Sequence, residues 1–342
     1  MEIRGNVIVV LDSSTDLKSF SSHSPLYQCL RIKMQHSQKP FSLTFRYVTS
    51  LVGDFDLKLP NHEFANSQRK NNGTAMNDPC DVKITSSLIM VSDASNCRIL
   101  FFDLKTKTFK FTIHDPHRPY GMAVDPYYDS NSLYITCRDN YVKKYDLESR
   151  AVVWSKFHMD FHYPCGIVVE SHQVENAKVI VADCGNRCFR IFSKRNGDFI
   201  AKWEYQLERL TEMPFGLELD GDGDILCTNL ISHTVSCISK NVNHLKVYWT
   251  MGKKGTQTGE FQYPRGVFFE KSTSLIYVCD QSNNRINVFS NRGDFIQSFG
   301  SPKNAPGSGM NELNAPVGLC ISETTGELFV VDMGNNRVQV FK

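Results

Sequence analysis

His117, His162 and Glu212 each stand two residues before a proline, at Pro119, Pro164 and Pro214. Two imidazoles and a carboxylate make a metal-compatible set. They form a site only if the fold brings those prolines round to one place. A second group surrounds the same prolines and the next one: Arg118, Tyr120, Tyr163, Phe215, Tyr263 and Arg265, with Lys253 and Lys254 a little upstream of Tyr263. Rings interleaved with cations suit recognition of a peptide or protein surface, or stacking of single-stranded RNA. Asp78, Asp115, Asp160, Glu212 and Glu260 lie in the same stretches and weaken a positive field. The preferred partner is therefore a protein or peptide, with RNA second and a metal third. No Ser/His/Asp grouping or phosphate-binding glycine loop accompanies them, so neither a catalytic residue nor a cofactor is expected.

The elements that carry these residues repeat. Prolines at 79, 119, 164, 214, 264 and 316 open six similar segments, spaced 40 to 52 residues apart. In five of them a glycine follows two places later (Gly121, Gly166, Gly216, Gly266, Gly318), and the first has Asp81 instead. Each segment then holds an apolar run: LIMVSD, LYITC, VIVAD, DILCTN, LIYVCD and LFVVD. The fifth segment, residues 263–300, reads as four short strands separated by turns: 267–269, 275–279, 285–289 and 294–299. A four-stranded meander cannot bury both its faces alone, and a period of this length is that of a β-propeller blade. The fold class expected is all-β, a six-bladed propeller.

The segments also share a hairpin. Asp280 ends the second strand and Arg285 begins the third across a four-residue turn, which sets the two side chains opposite each other to pair. Asp93 with Arg98, and Asp332 with Arg337, repeat the spacing. Asn283 and Asn284 suit left-handed turn positions. These residues are read as serving the fold rather than a ligand.

With its Pro-x-Gly opening and its Asp-x-x-Asn-x-Arg-(apolar)-x-(apolar)-Phe finish, the chain resembles the NHL repeat family over residues 47–342. VCDQSNNRINVF and VVDMGNNRVQVF match most fully, the latter through Asp332, Asn335 and Arg337. VSDASNCRILFF matches at Asp93, Asn96 and Arg98. The third copy keeps Asp183 and Asn186 but has Cys188 in the arginine slot. The fourth keeps only Asn229, and the second is degenerate. The resemblance implies a propeller like that of TRIM-NHL proteins, which act in ubiquitin transfer or RNA repression. No RING or B-box array of cysteines and histidines and no heptad run is present, so the expectation is a non-catalytic platform or adaptor in such complexes. The alternative class is a metal-dependent lyase or lactonase, since six-bladed enzymes of that architecture use central metals.

The sequence ends at the third strand of the sixth segment, with no fourth strand after it. Residues 45–53, FRYVTSLVG, resemble the last strand of a blade, so residues 47–52 are expected to close the ring and remove its open edges. Residues 1–44 are then an extension of undetermined role before a propeller of residues 45–342. Hydrophobic residues make up 41% and charged residues 22% of the chain, with a formal net charge of +2, which announces no nucleic-acid partner. No apolar run approaches the ~18 to 20 residues that span a bilayer. The start, MEIRGNVIVVLD, is a poor export signal. The eleven cysteines show no pairing pattern and read as reduced thiols. A cytoplasmic monomer is expected.

Overall fold

The computed structural model describes residues 45–51, 75–125, 129–170, 177–204, 213–239 and 246–342. They form six four-stranded antiparallel sheets. Blades 1 to 5 are continuous in sequence and cover residues 79–114, 119–157, 164–203, 214–251 and 264–300. In blade 5 the strands are Pro264–Glu270, Leu275–Asp280, Arg285–Ser290 and Phe295–Gly300, close to the expected limits. The first strand starts at the proline rather than three residues later, because an irregularity between Pro264 and Val267 keeps the proline in register with Asp280.

Blade 6 is completed from the other end of the chain. Tyr47–Leu51 pairs antiparallel with Arg337–Phe341, with Tyr47 opposite Phe341 and Leu51 opposite Val338. Arg46 and Lys342 exchange both backbone hydrogen bonds, at 3.0 and 2.8 Å. Phe45 stacks on Phe299 of blade 5 with ring centroids 4.5 Å apart. This is the ring closure expected from the missing strand; Val52 lies outside the described residues.

The core is divided among the blade interfaces. Leu275, Tyr277 and Val288 of blade 5 pack on Leu319, Leu328 and Val330 of blade 6. Val317, Phe329 and Val331 of blade 6 pack on Val82, Ile89 and Val91 of blade 1, and so round the ring. Because every blade has a neighbour on both faces, its second strand is buried along nearly its whole length instead of alternating, as in Leu275–Asp280 and Glu327–Asp332.

The inner strands come very close together at the repeated glycine. A Cβ on Gly216 would sit 2.2 Å from the Arg265 carbonyl oxygen of the next blade, and one on Gly166 would sit 2.2 Å from that of Phe215. Side chains on the second strands latch these contacts: the Thr228 hydroxyl donates to the Arg265 oxygen and the Thr136 hydroxyl to the Cys165 oxygen, both at 2.6 Å. Blade 1 can carry Asp81 there because the carboxylate has its own use, accepting from the Met122 amide at 2.8 Å.

Among the described residues there is no α-helix, only five short 3-10 turns, four of them after aspartates and one at Pro302–Asn304. No helix there is long and apolar enough to cross a membrane. All ten described cysteines are unpaired, and nine of them are buried.

Candidate functional site

The aspartate hairpin and the connector between blades meet on one face of the ring, the face where each inner strand begins at its proline. In blade 5, Arg285 Nε donates to Asp280 Oδ2 at 2.9 Å, while its terminal nitrogens donate to the carbonyl oxygens of Thr256, Gln257 and Glu260 in the incoming connector. Asn283 donates to Asp280 and to the Gly255 oxygen. The other carboxylate oxygen accepts from the Gln262 amide at 2.6 Å. Blade 6 repeats this arrangement with Arg337, Asp332 and Asn335 on Ser308, Gly309, Glu312 and Gly307. In blade 1, Arg98 meets Asp93 at 2.6 Å and Asn96 meets it at 2.9 Å. The hairpin thus staples its connector, and the donors of these arginines are taken by backbone oxygens. Asn283 is not left-handed, contrary to the sequence reading. It lies inside the 3-10 turn where its amide can reach Asp280, and Asn284 alone takes the positive φ, 52°.

Two blades that look incomplete in sequence rebuild the staple with other residues. In blade 3 Arg190 replaces the missing arginine from two places further along the same strand face: its Nε donates to Asp183 at 2.6 Å and a terminal nitrogen donates to the Asp160 oxygen. Asn186 also donates to Asp183. In blade 2 the carboxylate comes from the connector itself. Asp115 accepts from Lys143 at 2.6 and 2.8 Å and from the Tyr145 hydroxyl at 2.6 Å. Blade 4 uses a neutral version, in which Asn229 donates to Thr234 and Ser236.

The connectors deliver one unusual backbone position each. The residue before every proline has positive φ: Asp78 59°, Arg118 56°, Tyr163 59°, Met213 64°, Tyr263 55° and Ala315 53°. A non-glycine residue in this region costs roughly 1–3 kcal/mol, a strain the surrounding bonds must hold. Tyr163 and Tyr263 are 62% and 45% exposed there. The residue after the proline turns inward. Tyr120 and Phe215 are buried and meet edge-on across the mouth of the central channel at 5.9 Å. Burial pushes the Tyr120 hydroxyl well above its ordinary pKa, so it stays neutral. These two candidates plug the channel and offer no open stacking face.

Cations cap the plug. The Arg138 guanidinium lies 4.6 Å from the Tyr120 ring centre and pairs with Asp78 at 2.9 Å. Arg265 lies 4.3 Å over Phe215 and donates from Nε to Gln281 at 2.8 Å. Arg118 pairs with Asp139, and Lys253 pairs with Glu260 at 3.4 Å. Lys254 is exposed. Below the plug is a cavity of about 40 Å³ bordered by Asp81 and Lys83. Burial opposes the charge on Lys83, but Asp81 beside it and Glu218 across the channel outweigh this and raise its pKa.

Of the metal set, His117 Nδ1 is 2.8 Å from the Lys143 ammonium, His162 packs over Gly185, and Glu212 lies outside the described residues. Among the described residues no three His, Cys, Asp or Glu side chains gather as metal ligands. The sequence reading missed one feature on the opposite face, a cleft of about 740 Å³ between blades 4 and 5. It is bordered by Asp220, Asp222, Asp224, Tyr248 and Phe269. The Asp-Gly-Asp-Gly-Asp run at 220–224 was its only signal.

Six blades, a closing strand and a stapled hairpin define a six-bladed β-propeller. Its sixth segment is an NHL repeat: the NHL repeat family model matches residues 313–341. Human NHL repeat-containing protein 2 is 33% identical over 86 residues, which is 24% of this chain and 12% of that protein. Mouse peptidyl-glycine alpha-amidating monooxygenase is 29% identical over 138 residues, 40% of this chain and 14% of its own length. A probable peptidyl-alpha-hydroxyglycine alpha-amidating lyase of Caenorhabditis elegans is 28% identical over 134 residues, 38% of this chain and 37% of its own. The matched stretches are thus well under half the length of these relatives. A structural-genomics protein of unknown function from Bacteroides thetaiotaomicron shares the fold with a TM-score of 0.64 at 11% identity, over 89% of this chain and 74% of that one.

Proposed function

We propose that the propeller is a non-catalytic interaction platform whose proline face binds a protein or peptide segment. The observation that carries this reading is the pair Tyr163 and Tyr263, held open to solvent in a strained backbone conformation over a channel that Tyr120 and Phe215 close. Rigid exposed aromatics beside a desolvated centre are the usual anchors of a protein interface. Single-stranded RNA needs cations repeated along its path, and here Arg118, Arg138 and Lys253 are each neutralised by a neighbouring carboxylate. A role as adaptor in ubiquitin-related or RNA-regulatory complexes fits a platform of this kind.

A second reading, a metal-dependent lyase, is favoured by the names of the amidating relatives. Against it, His117 Nδ1 faces the Lys143 ammonium and the Asp115 carboxylate, and among the described residues no three metal-ligating side chains gather.

The test is capture of partners from native extract by the wild-type protein and by a Tyr163→Ala, Tyr263→Ala double variant, with and without nuclease. The platform reading expects proteins that survive nuclease and are lost with the tyrosines. Capture that vanishes with nuclease points to RNA. A stoichiometric metal in the purified protein, lost with His117→Ala and His162→Ala, overturns the reading in favour of the enzyme.

A further inference from the structure

Arg265 is set up differently from the other cations of the face. Its stacking on Phe215 at 4.3 Å fixes the plane of the guanidinium, and the Nε bond to Gln281 at 2.8 Å fixes its rotation within that plane. The two Nη groups are therefore presented as a preset fork, the geometry that matches the two oxygens of a carboxylate. Among the described residues neither Arg265 nor Lys254 has a carboxylate partner, whereas Arg118, Arg138 and Lys253 have Asp139, Asp78 and Glu260. A half-buried guanidinium without a counter-charge is a standing demand for one.

Its place in the ring adds to this. Arg265 overlies Phe215 of blade 4, and blade 4 stands between Tyr163 of blade 3 and Tyr263 of blade 5. Lys254 is on the Tyr263 side: the His233 ring packs on Tyr263 at 4.7 Å, and its pKa is lowered by burial and by Lys254. Five backbone donors beside this mouth are spent: the amides of Asn77, His162, Gln262 and Asn314 donate to the staple aspartates, and that of Tyr263 donates to His233. A nest of those amides is thus not offered to a chain-terminal carboxylate. A fork is offered to a side-chain carboxylate reaching down to it.

We propose that the channel mouth is a receptor for the side-chain carboxylate of an aspartate or glutamate within an extended peptide. Arg265 grips the carboxylate and Lys254 adds to the field, while Tyr163 and Tyr263 flank it as walls for the neighbouring residues. The proposal rests on the platform reading and gives its ligand a chemistry.

The test is a display library of random dodecapeptides panned on the full chain. The enriched peptides are then resynthesised with a fluorophore and measured on wild type, Arg265→Gln and Arg265→Lys, each first shown to melt as wild type does. The expected result is a shared Asp or Glu whose change to Asn or Gln weakens binding about tenfold or more. That sensitivity should vanish in Arg265→Gln and be only partly kept in Arg265→Lys, which retains charge without the fork. Enriched peptides that lose affinity in the Tyr163→Ala, Tyr263→Ala variant yet need no acidic residue overturn the inference and leave the platform standing. An acid requirement that persists in Arg265→Gln overturns it too. No enriched peptide at all, or binding of a labelled oligouridine through Arg265 in their place, removes both readings.

Discussion

Arg190→Ala tests whether the transposed arginine of blade 3 performs the work of the repeat's usual one. Asp183 is fully buried and accepts from Arg190 Nε at 2.6 Å, Asn186 at 2.8 Å and the His162 amide at 2.8 Å. Removing one partner of a buried ion pair costs about 3–5 kcal/mol, because the other charge is stranded. The two remaining hydrogen bonds reduce that figure. The expected loss at pH 7 is therefore about 2–4 kcal/mol. Urea denaturation of both proteins at that pH measures it. Adding Cys188→Arg to the variant should restore stability, since residue 188 faces Asp183 across the hairpin as Arg285 faces Asp280. A loss below about 0.5 kcal/mol, within the range of an ordinary surface change, would refute the reasoning.

Three further outcomes are expected. A chain lacking residues 1–40 retains Tyr47–Leu51 and should melt cooperatively by circular dichroism, whereas one lacking residues 1–55 should not; identical melts would mean that the closing strand is dispensable. Gly216→Ala drives a Cβ to 2.2 Å from the Arg265 oxygen and should cost about 1–3 kcal/mol, while Gly221→Ala, with its nearest neighbour at 3.6 Å, should cost little; equal effects in chemical denaturation would contradict the close-approach argument. The Asp103 carboxyl, held down to about 2 first by the Thr106 amide, contributes stability that is present above its unfolded pKa and lost as pH falls through about 2. A carboxyl titration by NMR with its midpoint in the ordinary aspartate range would remove that contribution.

Features that depend on a fixed spacing could be read from the sequence. The period and the missing fourth strand of blade 6 follow from turns and apolar runs at regular intervals. The pairing of Asp280 with Arg285 follows because a hairpin sets the two directly opposite. The staples of blades 2 and 3 escaped because the same contact is made by different residues: Arg190 shares a strand face with position 188, and Asp115 reaches Lys143 from a connector 28 residues away. A string search sees a broken motif where space holds an intact ion pair. The fate of the aromatics escaped for a related reason. Tyr163 and Tyr120 both adjoin a proline, yet one precedes it with a left-handed backbone and faces water, while the other follows it and faces the channel axis. Adjacency in sequence says nothing about that reversal; the sign of φ decides it.

The six-fold equivalence of the blades separates what the fold demands from what it leaves open. At the staple the chemistry is kept even when the residues move: a carboxylate meets a cation in blades 1, 2, 3, 5 and 6, at 2.6 to 2.9 Å, whether or not the usual positions are filled. At the pre-proline slot the conformation is kept and the chemistry is not: Asp78, Arg118, Tyr163, Met213, Tyr263 and Ala315 all take the same left-handed turn. A backbone strain of roughly 1–3 kcal/mol at each of these non-glycine residues would be relieved by glycine, which none of the six is. The ring therefore holds five kinds of side chain on one fixed backbone pose, from Met213 packed against the plug to Tyr163 and Tyr263 open to solvent. A sheet needs that pose to start its inner strand, but it has no use for two tyrosines pointing at solvent. Their identity is left for whatever lies on the face, and Arg265 between them, stacked, oriented and without a counter-charge among the described residues, is the group that such an occupant would have to satisfy.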